Sequence, residues 1–211
     1  NLTAQHIAQN HSRINDFEDY KFIVISINIG RDKRMTYTYH YQSPLGGITL
    51  SSNGIELTGL WFDGQKYFGN TLPKEYEEKT LPVFEQSVCW LDIYFSGKAP
   101  DFTPPLCMQA TPFRKAIREI MMAIPFGKTM TYGEIADKIA KQKGISKMSA
   151  QAVGSAVGHN SISLIIPCHR VVGTNGNLTG YAGGIDKKIQ LLNLERADMT
   201  SFFVPKKHCV I

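Results

Sequence analysis

Cysteine is scarce in this chain and widely scattered. The 211 residues include four cysteines, Cys89, Cys107, Cys168 and Cys209, and no two of them form a Cys-x-x-Cys pair. Small disulfide-stabilised scaffolds and clustered zinc sites both depend on closely spaced cysteines. The sequence therefore argues against both classes, and we expect the cysteines to be free thiols.

Long apolar runs are also absent. No stretch approaches the roughly 20 apolar residues that a membrane-spanning helix needs, and the polar start over residues 1–5 lacks the pattern of a signal peptide. We therefore expect a cytoplasmic protein that does not associate with membranes. The apolar fraction of 43% is typical of a globular protein. The net charge of +5 is compatible with an anionic partner but is too small to identify one.

The first third of the chain is polar at its start and then rich in strand signals. Residues 1–34 are irregular apart from a predicted strand over residues 22–29, and their sequence indicates no function. From residue 36 onward, short apolar runs are separated by turn signals, the strongest of which is Asn53-Gly54. This pattern predicts an antiparallel meander of strands.

A helix and a proline-rich stretch follow the meander. Phe84, Val88, Leu91 and Phe95 recur at helical spacing and predict a helix that ends at Gly97. The aromatic stripe is typical of a core-facing helix. Residues 98–110 contain three prolines and predict an interdomain linker.

The second half of the chain carries signals for several short helices. Thr111-Pro112 is typical of a helix start, and Thr131 with Glu134 predicts a capping box for a helix through Ala140. A further helix over residues 149–159 has small side chains on nearly every face, which favours either tight packing or close approach to a large ligand. The two helices match a helix-turn-helix and, equally well from the pattern alone, a corner of an ordinary helical bundle.

Cys168 follows directly after a short apolar run. Ile165 and Ile166 predict a buried strand that Pro167 ends, which would place the thiol at a strand end beside His169. A thiol with the ordinary pKa of about 8.5 is mostly protonated at neutral pH, so a nucleophilic role needs a base or a cation nearby. A buried structural cysteine beside a surface histidine is the simpler alternative for such a pair.

The segment after Cys168 is rich in glycine and then helical. Glycines over residues 173–184 are compatible with a loop whose backbone amides are accessible to a ligand and equally with a plain surface hairpin. No Gly-Lys-Ser/Thr sequence follows, so this is not a phosphate-binding loop. Residues 185–196 predict a helix that carries Glu195. That carboxylate is either a surface charge or the group that orients a histidine in a Cys-His-Glu relay.

Together these motifs resemble those of the O6-alkylguanine-DNA alkyltransferases, also called methylated-DNA–protein-cysteine methyltransferases. The resemblance is strong over residues 111–195 and looser over residues 36–107. Three motifs carry it: Pro167-Cys168-His169-Arg170-Val171, Gly180-Tyr181-Ala182-Gly183-Gly184, and Leu191-Leu192-x-x-Glu195. It implies an α+β fold, in which a small ribonuclease-H-like antiparallel β domain precedes a helical, winged-helix-like domain with a helix-turn-helix. The implied boundaries are an extension of unknown role at 1–34, the β domain at 35–107 and the DNA-binding alkyltransferase domain at 108–211.

The resemblance also implies an activity. The family's methylated-DNA–[protein]-cysteine S-methyltransferases repair DNA in a single turnover: they bind duplex DNA through the minor groove, flip out an alkylated guanine and transfer the alkyl group irreversibly to their own cysteine. O4-alkylthymine is a further possible substrate in this family. We accordingly expect a monomer whose partner is double-stranded DNA containing alkylated guanine, with no cofactor, no metal and no membrane involvement.

Residue roles follow from the same resemblance. Cys168 would be the nucleophile, His169 a base acting through water, and Glu195 the group that orients His169. Asn160 matches the family's hinge asparagine and Tyr132 a tyrosine that crowds the flipped nucleotide. The Ala182 amide would face the guanine O6, while the Cys168 and Val171 carbonyls would accept from its amino group. The expected substrate-binding residues are Val171, Tyr181, Ala182 and Lys188. The expected DNA-binding residues are Gln151, Ala150, Ala152, Gly154, Ser155 and Arg170.

The chain departs from the family pattern in three places. Gln151 stands where the family usually has an arginine that enters the base stack, and Ser161 stands where a proline is common. The first 70 residues contain no cysteine, so the zinc site of some members has no counterpart. Two other functions stay open from the sequence: an alkylated-DNA binder without transfer activity, and an unrelated cysteine hydrolase.

Overall fold

The computed structural model describes residues 35–205. The strand predicted over residues 22–29, the rest of the extension at 1–34, and Cys209 lie outside the described residues. Within the described part of the chain, no helix is both long and apolar enough to cross a membrane. Cys89, Cys107 and Cys168 are all free in that part, as expected.

An antiparallel meander opens the described chain, which confirms the sequence prediction. Strands β1 (Tyr37–Ser43), β2 (Gly46–Ser52) and β3 (Leu57–Phe62) pair in sequence order. The turn between β2 and β3 forms because the Asn53 side chain accepts hydrogen bonds from two amides that follow it. A short strand β4 (Glu77–Glu78), which was not predicted, adds in parallel to β1 at the sheet edge.

Helix α1 (Pro82–Phe95) covers one face of this sheet. Its apolar stripe packs onto the strands, with Phe84 stacked on Tyr39 and Phe95 stacked on Tyr41. The helix stops where Gly97 adopts a left-handed conformation with φ of 79°. The prediction of a core helix in this position is therefore confirmed.

The stretch after α1 has little regular structure, as predicted for residues 98–110. Part of it nevertheless lies along β3. The Leu57 amide donates to the Pro105 carbonyl at 2.8 Å, and the Cys107 amide donates to the Leu57 carbonyl at 2.9 Å. These hydrogen bonds fix the connection to the sheet.

The second half of the described chain is helical. Its helices are α2 (Pro112–Met122), α3 (Tyr132–Lys143), α4 (Ala150–Gly158) and α5 (Ile185–Leu194). The predicted caps are present: Thr111 accepts from the Arg114 amide, and Thr131 with Glu134 forms the capping box. α3 continues beyond the predicted end at Ala140 and stops at Gly144, which is left-handed.

The strand predicted at Ile165 and Ile166 was wrong. Both residues are buried, as a strand there would be, but they lie in a turn in which Leu164 has a φ of +67°. The Ile166 amide donates back to the Ile162 carbonyl at 3.2 Å, so the hydrogen bonds close locally. An apolar run of this length is equally compatible with a buried turn, which periodicity alone does not distinguish.

The meander and the helices share one buried core. β3 makes the backbone connection: the Leu60 amide donates to Ser161 at 2.8 Å, and the Ser163 amide donates to Leu60 at 2.9 Å. A two-residue parallel pair, β5 (Met130–Thr131) with β6 (Val171–Val172), links the start of α3 to the segment after Cys168. The turn that precedes Cys168 is therefore held between the sheet and the helices.

Candidate active site

Cys168 is the first residue of a single 3₁₀ turn, Cys168–Arg170, which follows Pro167. Its side chain is buried, with 4% of the residue exposed. Burial raises the pKa of the thiol, while a hydrogen bond from Asn160 and the charge of Lys188 act in the opposite direction. Because burial dominates, the resting thiol is protonated, and any nucleophilic use of it requires a base.

Asn160 ties the end of α4 to the turn that carries Cys168. Its Nδ2 donates to the carbonyls of Ile162 at 3.0 Å and Ile166 at 2.8 Å, and it lies 3.3 Å from the Cys168 sulfur. Its Oδ1 accepts from the Ile162 amide at 3.2 Å. One buried amide thus bonds both to the turn and to the thiol.

His169 and Glu195 form a buried pair next to the thiol. The His169 Nε2 lies 2.6 Å from the Glu195 Oε1, and neither side chain is exposed. Burial lowers the pKa of His169, although Glu195 partly offsets this effect, so the ring is neutral. A neutral ring that donates from Nε2 leaves Nδ1 as an acceptor. That Nδ1 is buried and has no hydrogen-bond partner.

Glu195 is surrounded by donors. Arg170 donates to it from Nε at 2.9 Å and from Nη2 at 3.1 Å, and the Gly127 amide donates at 3.0 Å. Burial alone would raise the pKa of Glu195, but the hydrogen bonds and charges of His169 and Arg170 together lower it to about 2. Glu195 therefore stays ionised and can hold a histidine that has gained a proton.

Arg170 differs from its predicted role at the DNA surface. Only 8% of the residue is exposed. Besides the two bonds to Glu195, its Nη1 donates to the Ile124 carbonyl at 2.6 Å. The structure places this guanidinium in the buried network, where it forms a bidentate ion pair.

Tyr94 also belongs to this network and was not predicted. It lies on α1 and donates from its hydroxyl to the Glu195 Oε1 at 2.7 Å. The residue is separated from His169 by 75 positions in the chain, and it is not one of the four residues that predicted the helix. A buried tyrosine needs a partner for its hydroxyl, but that rule does not identify the partner.

Tyr132 and Lys188 both bond to carbonyls of the glycine-rich loop. The Tyr132 hydroxyl lies 3.3 Å from the Gly180 carbonyl, and burial raises its pKa to about 12. The Lys188 Nζ donates to the carbonyls of Val171 at 2.6 Å and Thr179 at 2.8 Å, and burial lowers its pKa to about 8. The Val171 carbonyl, expected to accept from the guanine, thus already accepts from Lys188.

A cavity of about 450 Å³ lies between α4, the glycine-rich loop and the loop that follows β3. Of the predicted residues, it is lined by Tyr181, Ala182, Gly154 and Ser155. On its far side the Tyr67 ring stacks on His159 at 4.5 Å. The Tyr181 ring also faces the His169 ring at 6.4 Å. The cavity therefore adjoins the buried relay through one aromatic side chain.

The outer surface of α4 carries small and uncharged side chains. Ala150, Gln151 and Ser155 are exposed, while Ala152 and Gly154 are half-buried. The Ser149 hydroxyl caps the helix by accepting from the Ala152 amide. Within residues 35–205, no group of three or more histidine, cysteine or acidic side chains is placed to hold a metal ion.

Known proteins show the same organisation. The family model of the 6-O-methylguanine DNA methyltransferase ribonuclease-like domain matches residues 35–108, and that of the DNA binding domain of the same proteins matches residues 112–197. A methylated-DNA–protein-cysteine methyltransferase from Mycobacterium tuberculosis is 39% identical over 170 residues, which cover 77% of this chain and 98% of the relative. One from Haemophilus influenzae is 40% identical over 161 residues, or 76% of this chain and 86% of the relative.

Solved structures agree with the sequence relatives. The crystal structure of Mycobacterium tuberculosis OGT in complex with DNA superposes with a TM-score of 0.65 at 39% identity, and covers 77% of this chain and 92% of that one. An O6-methylguanine DNA methyltransferase from Methanococcus jannaschii gives a TM-score of 0.52 at 31% identity, over 78% and 97% of the two chains. The resemblance and the α+β fold predicted from the sequence are thereby confirmed, and the chain belongs to the methylated-DNA–protein-cysteine methyltransferase family.

Proposed function

We propose that this protein repairs duplex DNA by taking the alkyl group of an O6-alkylguanine irreversibly onto the sulfur of Cys168. The observation that carries the proposal is the buried thiol beside a neutral His169 whose Nδ1 is unpaired and whose Nε2 is bonded to an ionised Glu195. Family membership removes the cysteine hydrolase from consideration. The presence of Cys168 favours transfer over simple binding of damaged DNA.

The proton of the thiol is the first requirement of this reaction. Cys168 is protonated at rest, and the His169 Nδ1 accepts its proton through a water molecule. The imidazolium that forms is held by Glu195, which needs no proton of its own. The thiolate then attacks the alkyl carbon, so the S–C bond forms as the C–O6 bond breaks and the guanine leaves with the electron pair.

The departing guanine carries negative charge that donors must stabilise. The Tyr132 hydroxyl keeps its proton at neutral pH, its pKa being raised by burial to about 12, and it stands next to the glycine-rich loop. The Ala182 amide belongs to the same loop, and Lys188 holds that loop in place through the Thr179 carbonyl. We propose that these groups line the site in which the alkylated guanine reacts.

DNA binding through α4 completes the proposal. The small exposed side chains of this helix permit close approach to the minor groove, and Gln151 stands at its first turn, where it fills the gap left by an extruded base. The cavity beside α4 receives that base. All groups of the relay come from one chain, which supports action as a monomer, and the proposed location is the cytoplasm.

Mass spectrometry tests the transfer directly. We expect the protein, mixed with excess duplex containing O6-methylguanine, to gain one methyl group on the peptide that contains Cys168. Cys168→Ser should gain none and still retain the damaged duplex, whereas Cys89→Ser, which removes an exposed thiol, should react like the wild type. An unmodified wild-type protein that retains the duplex would show that the chain binds damaged DNA without transferring the alkyl group. A methyl group on Cys168→Ser would show that the nucleophile is another residue.

A further inference from the structure

Tyr94 reaches the relay from the opposite half of the fold. It lies near the end of α1, in the part of the chain that matches the ribonuclease-like domain, and its side chain is fully buried. Its ring stacks on Trp90 at 5.2 Å and meets the edges of Phe126 at 5.9 Å and His169 at 6.2 Å. Contacts on several sides therefore hold the hydroxyl in one place.

The hydroxyl shares an acceptor with the catalytic histidine. Tyr94 donates to the Glu195 Oε1 at 2.7 Å, and the His169 Nε2 donates to the same oxygen at 2.6 Å. The Tyr94 oxygen itself lies 3.3 Å from that Nε2. Burial, followed by the charge of Glu195, raises the pKa of Tyr94 well above its ordinary value, so the hydroxyl keeps its proton. Tyr94 and His169 thus meet on one carboxylate oxygen, to which the Arg170 Nη2 also donates at 3.1 Å.

We propose that Tyr94 is a positioning residue of the alkyl transfer, which acts through Glu195 on the orientation and basicity of His169. The inference rests on the proposed function of Cys168 and His169. By donating to Oε1, the Tyr94 hydroxyl fixes the orientation of the carboxylate relative to the imidazole. The same hydrogen bond reduces the negative charge on Oε1, the oxygen to which the His169 ring is bonded. The basicity of His169 is then set by how strongly that oxygen attracts the imidazolium. The ribonuclease-like half of the fold in this way contributes directly to the chemistry.

Tyr94→Phe removes the hydroxyl and keeps the ring contacts. We expect the rate of methyl transfer under single-turnover conditions to fall by about tenfold, as for the loss of one hydrogen bond to a charged group. The affinity for damaged duplex should not change, because Tyr94 is buried. The low-pH limb of the rate profile should move to higher pH: without the hydroxyl, Oε1 holds the imidazolium more tightly, and His169 is protonated at higher pH.

Tyr41→Phe is a matched control. The Tyr41 hydroxyl also donates to a carboxylate of α1, Asp92, at 2.7 Å, but on the exposed side of the helix. This variant should keep the wild-type rate and pH profile. A Tyr94→Phe protein with the wild-type rate, or with a lower melting temperature and an unmoved pH profile, would reduce Tyr94 to a core aromatic and overturn the proposal.

A double-mutant cycle provides a second test. If the hydroxyl acts through the carboxylate, adding Tyr94→Phe to Glu195→Gln should change the transfer rate less than twofold. A full tenfold loss in that background would mean that Tyr94 acts by another route. Failure of the wild-type protein to methylate Cys168 in the same assay would instead count against the proposed function.

Discussion

Glu195 makes the stability of the fold depend on acid pH. Its pKa is lowered from 4.5 to about 2 in the folded protein, because the donors around it outweigh its burial. A carboxylate with a depressed pKa stabilises the fold above its unfolded pKa, and that contribution is lost as the pH falls through the folded value. The shift corresponds to about 3 kcal/mol of folding free energy.

Glu195→Gln should therefore be less stable than the wild type near neutral pH, and the difference should narrow as the pH falls from 4.5 to about 2. At low pH the Glu195 carboxylate of the wild type becomes protonated, so both proteins then have a neutral group at this position. Urea denaturation over a pH series measures the difference. A gap in unfolding free energy that stays constant over this range would show that the network of Arg170 and His169 does not depend on the carboxylate charge.

At the scale of single residues, the sequence predicts which groups gather at the candidate site but not the groups that support them. Cys168, His169 and Glu195 lie together, and Asn160 bonds to the turn before the thiol. Tyr94 and the inward orientation of Arg170 were missed, because both depend on which elements pack against α5 and not on any local motif. The spacing of residues along the sequence does not indicate long-range packing of this kind.

Among the elements, α4 offers a direct test of the proposed DNA contact. Gln151 is exposed at the start of this helix and has no charge, at the position where the sequence resemblance leads us to expect an arginine. Gln151→Arg should tighten binding to duplex DNA and steepen the dependence of log affinity on log salt by roughly one. The rate of methyl transfer should rise as well, because the longer side chain fills the gap left by the flipped base.

Gln142→Arg adds the same charge to the exposed surface of α3 and is the matched control. We expect it to leave the transfer rate unchanged. Fluorescence anisotropy at several salt concentrations and single-turnover kinetics measure the two effects. Equal changes in both variants would show that net charge alone matters and that Gln151 has no special position on the DNA.

The elements themselves were predictable to different degrees. Capping signals at Thr111 and Thr131 and the Asn53-Gly54 turn are local, and each forms as expected. The strand assigned to Ile165 failed because a short apolar run indicates burial without specifying the hydrogen bonds. There the Asn160 side chain supplies the bonds that a sheet would have supplied.

At the scale of the molecule, the sequence suggests two domains, at 35–107 and 108–211, while the structure joins them extensively. The backbone of Leu60 bonds to both sides of the turn before Cys168, and the Lys66 amide donates to the Ala182 carbonyl at 2.9 Å. Residues from both parts belong to the same buried core. We therefore expect residues 35–205 to unfold as one cooperative unit.

Two probes test this expectation, one in each part. Trp61 and Trp90, the chain's two tryptophans, report on the first part by fluorescence, and the reactivity of buried Cys168, mapped by peptide mass spectrometry, reports on the second. Leu60→Ala should lower the unfolding free energy by about 2–5 kcal/mol and shift both urea midpoints together. Ile145→Ala, at an exposed position, should move neither. If the fluorescence midpoint moved while Cys168 stayed protected, the parts would be independent domains, and Tyr94 could then leave the relay without unfolding it.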